Sequence, residues 1–190
     1  DPGIGADNTV YALLMQSDSR ILVGGAFSSF NGVPWQGIAR LTPGGAIDPV
    51  RFNPGTGFEG AVFDMAFQSD GKLVAGGDFT AYNGVPRRNV ARLYPDGTLD
   101  TSFLDVYYNQ SAGPDQFVSA VAVYPYGVTN TLVGTNFIRT VVIAPDSVFI
   151  GGAFTRVGGG LTIADELEQA RFTRLVGGSI QPAFNMLGNV

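Results

Sequence analysis

Residues 10–48 read VYALLMQSDSRILVGGAFSSFNGVPWQGIARLTPGGAID, and residues 62–100 read VFDMAFQSDGKLVAGGDFTAYNGVPRRNVARLYPDGTLD. The second stretch is the first displaced by 52 residues. From Pro2/Pro54 to Asp48/Asp100, 20 of 47 positions are identical without a gap. Self-similarity at a fixed period of this length marks a repeat architecture, in which each unit is one supersecondary block. A third, interrupted copy runs through residues 118–127, 148–155 and 172–184, with extra residues within 104–117, 128–146 and 160–171. Phe52, Phe103 and Phe184 close the units. The expected divisions are therefore 1–52, 53–103 and 104–184, with 185–190 opening a fourth unit. The chain begins at Asp1 with no leader-like stretch, which reads as a processed protein or a piece of a longer array.

Each unit reads as four short strands, in unit one 10–16, 21–27, 37–42 and 46–52. Ser69-Asp70-Gly71 and Pro95-Asp96-Gly97 supply the positive φ of tight hairpins. Asn31-Gly32-Val33-Pro34 and Asn83-Gly84-Val85-Pro86 mark a longer second connection. One strand per 8–12 residues between turn signals is the pattern of an all-β protein. Residues 10–15 are continuously apolar, the expectation for a strand buried on both faces. A lone four-stranded sheet cannot bury both faces, whereas sheets stacked radially can. The predicted fold is three four-stranded antiparallel propeller-type blades, part of a larger β-propeller.

The combination of Gly-Gly-x-Phe, Asn-Gly-Val-Pro and Ala-Arg-Leu resembles the delta-60 repeat family of large bacterial surface and secreted proteins. The resemblance covers nearly all of units one and two and about half of unit three. It implies a propeller-like array outside the cell or on its surface, with no catalytic residues to carry over.

Composition narrows the chemistry. There is no His and no Cys, which excludes thiol catalysis, Cys/His zinc sites, haem held by those ligands and His-based triads. A net charge of −5 argues against a nucleic-acid surface and against adsorption to anionic lipid. No apolar run approaches a membrane span. Acids are scattered, with only Asp64, Asp70 and Asp78 placed to gather, so neither a metal nor any other cofactor is expected.

Residues shared by the units read as frame. Gly24-Gly25, Gly76-Gly77 and Gly151-Gly152 mark close packing or a bulge within a strand. Phe27, Phe79 and Phe154 are expected to fill the space those glycines vacate. Arg40, Arg92 and Arg174 each want an acceptor. Asp48 and Asp100 are the expected partners in units one and two, while Gln181 replaces the acid in unit three.

Residues peculiar to unit three read as individuality. Tyr107, Tyr108, Asn109, Gln110, Asp115 and Gln116 have a composition suited to recognising a protein or glycan. The 128–146 insertion reads as a hairpin, 131–133 with 137–143, presenting Asn136 and Phe137 to a partner. The 162–171 stretch reads as a short helix, Ile163, Leu167 and Ala170 sharing a face and Thr162 near its start. Strand order places the 104–117 and 160–171 insertions at one end of the unit and 128–146 at the other. The leading expectation is a non-enzymatic scaffold or binding module completed by further blades from the same or another chain. Two alternatives stay open. One is a carbohydrate-active enzyme using a pair drawn from Asp105, Asp115, Asp165 and Glu166. The other is a structural subunit of a larger complex or filament.

Overall fold

The structure is a computed structural model and describes residues 3–48, 50–104, 113–124, 128–134, 137–143, 147–158, 167–168, 171–176 and 179–180. Its strands in chain order are β1 (Val10–Met15), β2 (Ile21–Gly25), β3 (Ile38–Leu41), β4 (Phe58–Phe67), β5 (Leu73–Tyr82), β6 (Val85–Pro86), β7 (Val90–Leu93) and β8 (Gly113–Pro114). There follow β9 (Val118–Tyr124), β10 (Val128–Gly134), β11 (Phe137–Ile143), β12 (Ser147–Gly152), β13 (Arg156–Gly158), β14 (Leu167–Glu168), β15 (Phe172–Val176) and β16 (Ser179–Ile180). All the paired strands are antiparallel, and the described residues contain no helix.

Each unit is a meander. Unit one runs β1-β2-β3 and unit two β4-β5-β7, with the two-residue β6 folding back on the end of β5. Unit three runs β9-β12-β15-β16. A full fourth strand is present in neither of the first two units. It shrinks to single bridges, Leu41 with Ile47 and Leu93 with Leu99. After the turn at Pro43–Gly45 the return segment is held by Thr42 N to Ala46 O at 2.7 Å and Asp48 N to Arg40 O at 2.9 Å. The 128–146 insertion does form a separate hairpin, β10 with β11 in register from Val128↔Ile143 to Gly134↔Phe137.

The first strand also departs from expectation. In β1 only Ala12 is buried and Leu14 half-buried, while Val10, Tyr11, Leu13 and Met15 are exposed. Burial on both faces needs a sheet on both sides, and among the described residues β1 has one only on the side of unit two. In β4, which has neighbours on both sides, Val62 and Met65 are buried.

Two apolar layers join the three sheets. The first gathers Ala12, Leu22 and Ile38 of unit one against Phe58, Val62, Met65 and Phe79 of unit two. The second gathers Val74 and Val90 of unit two against Val118, Val121, Ile150 and Phe154 of unit three. A third cluster, Val23, Phe27, Phe30, Trp35 and Ala39, lies on the opposite side of unit one.

The paired glycines have two different jobs. A Cβ on Gly24 would stand 2.9 Å from Val62 Cγ1 and 3.1 Å from Met65 Cε. A Cβ on Gly76 would stand 2.6 Å from both Val118 Cγ1 and Val121 Cγ2. The first glycine is therefore a socket for the next unit's opening strand. The second faces its own unit: a Cβ on Gly25, Gly77 or Gly152 would lie within 2.0 to 2.3 Å of the carbonyl of Thr9, Ala61 or Phe117. There the opening strand bulges, with register breaks at Val10/Ala12, Val62/Asp64 and Gly151/Gly152.

The space left by the first glycine is thus filled by the neighbour's Val and Met, not by the following Phe. Phe27, Phe79 and Phe154 lie three residues on, and side chains of a strand alternate faces. Phe79 and Phe154 consequently pack toward the preceding unit, and Phe27 packs in the cluster on unit one's outer side.

The 162–171 helix is not what the described part of that stretch forms. Leu167 and Glu168 pair antiparallel with Val157 and Arg156, adding a strand to the side of β13 away from β8. No helix among the described residues is long and apolar enough to cross a membrane.

Candidate functional site

The end of the units that carries the second turns and the unit-to-unit links is built from a short motif. Gly5-Ala6-Asp7, Gly57-Phe58-Glu59 and Gly113-Pro114-Asp115 each precede the corresponding valine of the opening strand, Val10, Val62 or Val118, by the same distance. All three glycines have positive φ, at +80°, +91° and +115°. A Cβ on Gly57 would lie 2.1 Å from Gln36 O, and one on Gly113 would lie 2.1 Å from Arg88 O. The link therefore runs flush against the second turn of the preceding unit, where only glycine fits. In units one and two it is a backbone contact, Gln36 N to Thr56 O at 3.0 Å and Phe58 N to Gln36 O at 2.9 Å.

The acid of this motif is a cap. Asp7 Oδ1 accepts from Ser28 N at 2.8 Å and Ser29 N at 3.1 Å, and Oδ2 accepts from the Ser28 hydroxyl at 2.5 Å. Asp115 repeats the arrangement, accepting from Thr155 N at 2.8 Å, Arg156 N at 3.0 Å and the Thr155 hydroxyl at 2.8 Å. The hydrogen bond from the Ser28 hydroxyl, aided by the Ser29 amide, brings Asp7 down to about 2. For Asp115 burial pushes upward, but the bonds from Arg156 and Thr155 outweigh it and the carboxyl titrates below its ordinary range. Asp115 thus belongs to the repeating frame, a role that sequence reasoning missed. The signal was present as Asp-x-x-Val at 7–10 and 115–118.

Unit two places Glu59 at this position, one methylene longer. The Thr80 hydroxyl there meets the Glu59 backbone carbonyl at 3.5 Å, and Glu59 is exposed. Beside it an open groove of about 480 Å³ lies between units one and two, lined by Phe27, Ser28, Gln36, Phe58, Glu59 and Gly60. Nothing in the repeat reading pointed to this groove, because its walls come from two units.

In unit three, β8, β13 and β14 form one small sheet, so the link and the second-turn insertion meet at the same end. Asp115 and Leu167 come together there through Arg156 and Val157, with Gln116 exposed beside them. Phe137 is placed elsewhere, at the start of β11 opposite Gly134 in its own two-stranded sheet. Tyr107, Tyr108, Asn109, Gln110, Asn136 and Ile163 lie outside the described residues, as do Asp105, Asp165, Glu166 and Gln181.

The Arg and Asp residues shared by the units meet. Arg92 Nε lies 2.9 Å from Asp100 Oδ2 and Arg92 Nη1 lies 3.3 Å from Gln68 Oε1. Asp100 Oδ1 accepts from Ser102 N at 3.0 Å and the Ser102 hydroxyl at 2.6 Å. Burial raises Asp100, but Ser102 and then Arg92 more than reverse this. In unit one Asp48 Oδ2 lies 3.1 Å from Arg40 Nη2 and 2.8 Å from Arg20 Nε. Arg40 Nη1 also donates to Pro95 O of unit two at 3.1 Å. The guanidinium of Arg40 sits 5.0 Å from the Phe52 ring, and that of Arg92 sits 4.6 Å from the Phe103 ring. Arg174 is half-buried on β15, opposite Phe149 of β12.

Among the described residues no three acids gather as metal ligands. Asp64, Asp70 and Asp78 stand apart. Asp64 accepts from Met65 N at 2.8 Å and, across the unit boundary, from Val121 N at 2.8 Å. Asp70 closes its hairpin on Lys72 N at 3.0 Å. Aromatic rings form a row over the opening strands, Tyr11 to Phe63 at 5.1 Å and Phe63 to Phe117 at 6.0 Å between centroids.

Residues 16–49 and 68–103 match a family described as a domain of unknown function (DUF5122) beta-propeller. The two matches fall on the same part of units one and two, from the first turn to the unit's close. No curated protein and no solved structure gives a significant match. The described strands pair antiparallel throughout, and the repeats of units one and two are similar to those of this β-propeller family.

Proposed function

We propose that this chain is a non-enzymatic β-propeller repeat segment of the delta-60 kind, acting outside the cell or at its surface as a scaffold. It offers the link and second-turn end of unit three to a protein or glycan partner. The observation that carries this reading is the use made of Asp115. It is the one acid of the paired-carboxylate alternative among the described residues, and both its oxygens are bound within the frame. A carboxylate held this way and kept ionised is a poor general acid. The remaining polar and aromatic residues peculiar to unit three fall in the stretches of sequence that depart from the repeat.

The test is binding of the full chain to an oligosaccharide array and to a panel of purified surface proteins, compared with a Tyr107→Ala/Tyr108→Ala variant. The reading expects binding that the double variant loses at unchanged melting temperature. Turnover of chromogenic glycosides that Asp105→Asn abolishes would overturn it in favour of an enzyme.

A further inference from the structure

We infer that the groove between units one and two takes the basic side chain of a partner peptide, with Glu59 and Gln36 as its acceptors. The groove is framed by Phe27 and Ser28, which follow β2, by Gln36 of unit one's second turn, and by Glu59 and Gly60 at the start of β4. Its walls therefore belong wholly to a joint made within the chain. Its volume of about 480 Å³ falls in the roughly 300–1,000 Å³ usual for small-ligand sites.

Glu59 is an exception to the frame. At the same position in units one and three, Asp7 and Asp115 commit both oxygens to the amides and hydroxyl that follow the second strand. In unit two that strand, β5, runs on to Tyr82, paired with Phe58 and with β6. No cap is made there. Among the described residues the Glu59 carboxylate has no hydrogen bond or ion pair, and neither has the Gln36 side chain. Displaced by 52 residues, Gln36 corresponds to Arg88, so unit one lacks the cation that unit two carries at this place. An uncommitted carboxylate thus lines a groove that has no basic residue in its walls.

The chemistry of those walls selects the occupant. A carboxylate only accepts, and the Gln36 amide oxygen adds a second acceptor. Asp7, kept ionised by its cap, stands behind Ser28 and adds negative charge. A guanidinium or ammonium group carries only donors and a positive charge, which matches both features. A sugar fits less well, because Phe27 and Phe58 are 2% and 0% exposed and neither ring offers a face for a pyranose to stack on. The net charge of −5 also draws cations toward the chain as a whole. This site lies on units one and two, so it stands or falls independently of the unit-three surface proposed above.

The experiment is an NMR titration of the isotope-labelled full chain with N-acetylarginine methylamide and with its citrulline counterpart, which keeps the shape and lacks the charge. Saturable shifts are expected at the amides of Ser28, Gln36, Gly60 and Ala61 with the arginine compound, and none with the citrulline compound at the same concentrations. Glu59 is exposed and its carboxylate is unbonded, so Glu59→Gln keeps the fold, checked by melting. It is expected to weaken binding at least about tenfold, the scale of a lost hydrogen bond to a charged group. Gln36→Arg sets a guanidinium of the chain's own beside Glu59 and is expected to remove the binding, while the bonds that Gln36 makes to the link are backbone bonds and remain. No saturable shift at those amides up to tens of millimolar would overturn the inference. So would equal binding of the citrulline compound, or an unchanged affinity in either variant.

Discussion

Replacing Gly76 with alanine places a methyl group 2.6 Å from Val118 Cγ1 and Val121 Cγ2, where ordinary contact begins near 3.4 Å. Both valines are buried in the layer between units two and three and stand on β9, whose backbone is held by pairing with β12 and by Asp64. The overlap of about 0.8 Å on each must be relieved by shifting one sheet against the other or by forcing a valine off its rotamer. Overpacking of this kind costs about 1–3 kcal/mol. Loss of the glycine's unfolded-state freedom returns about 0.4–1 kcal/mol. The net loss is about 1–2 kcal/mol, which for a chain of this size lowers the melting temperature by roughly 2–8 °C. Gly151→Ala is the internal control, because the same methyl there has 3.6 Å to its nearest neighbour among the described residues. It is expected to leave the melting temperature unchanged or slightly raised. Differential scanning calorimetry of both variants checks the pair. If Gly76→Ala melts with wild type while Gly151→Ala melts lower, the socket reasoning is refuted.

Other expectations follow from the polar frame. Asp100→Ala strands the buried Arg92 guanidinium and should cost about 3–5 kcal/mol in urea unfolding, leaving partner binding by the folded protein intact; an unchanged midpoint would refute it. Asp115→Ala removes three bonds from the 153–156 turn and should cost about 1–2 kcal/mol, on the scale of a lost cap. Asp7 is lowered in the folded state, so its contribution is present above the unfolded carboxyl value and is lost as pH falls from about 4 to about 2. Asp7→Asn should flatten the stability profile across that window, and a profile identical to wild type would contradict the assignment.

Much of this frame is legible in the residues once the repeat is seen. The displacement of 52 residues pairs Gly24 with Gly76, Arg40 with Arg92 and Asp48 with Asp100, and those positions do hold the joints and the ion pairs. What escaped has physical reasons. Phe27 does lie over the second glycine of its pair, where a Cβ on Gly25 would stand 2.9 Å from its ring. The first glycine, however, is three residues away, and that odd spacing puts Phe27 and Phe79 on the other face of the strand from it. The apolar run of β1 reads as doubly buried because composition cannot reveal whether a sheet lies on each side. Asp115 looked like a loop acid because the extra residues before it hide its correspondence to Asp7. The groove beside Glu59 has walls from two units, so no single repeat contains its pattern. Leu167 reads as helical from its spacing, but it pairs with Val157 as an added strand beside β13, a long-range pairing that local spacing does not encode.

The central claim is that successive sheets join by an opening-strand knob in a glycine socket, and a double-mutant cycle between Gly76 and Val118 tests it most directly. Val118→Ala removes one of the two methyl contacts that Gly76→Ala would strike, Val121 Cγ2 being the other, so the account predicts that Gly76→Ala costs less in that background. The coupling expected in urea unfolding is at least about 1 kcal/mol, within the range found for residues in contact. Strictly additive losses would place the two residues in separate surroundings and contradict the joint.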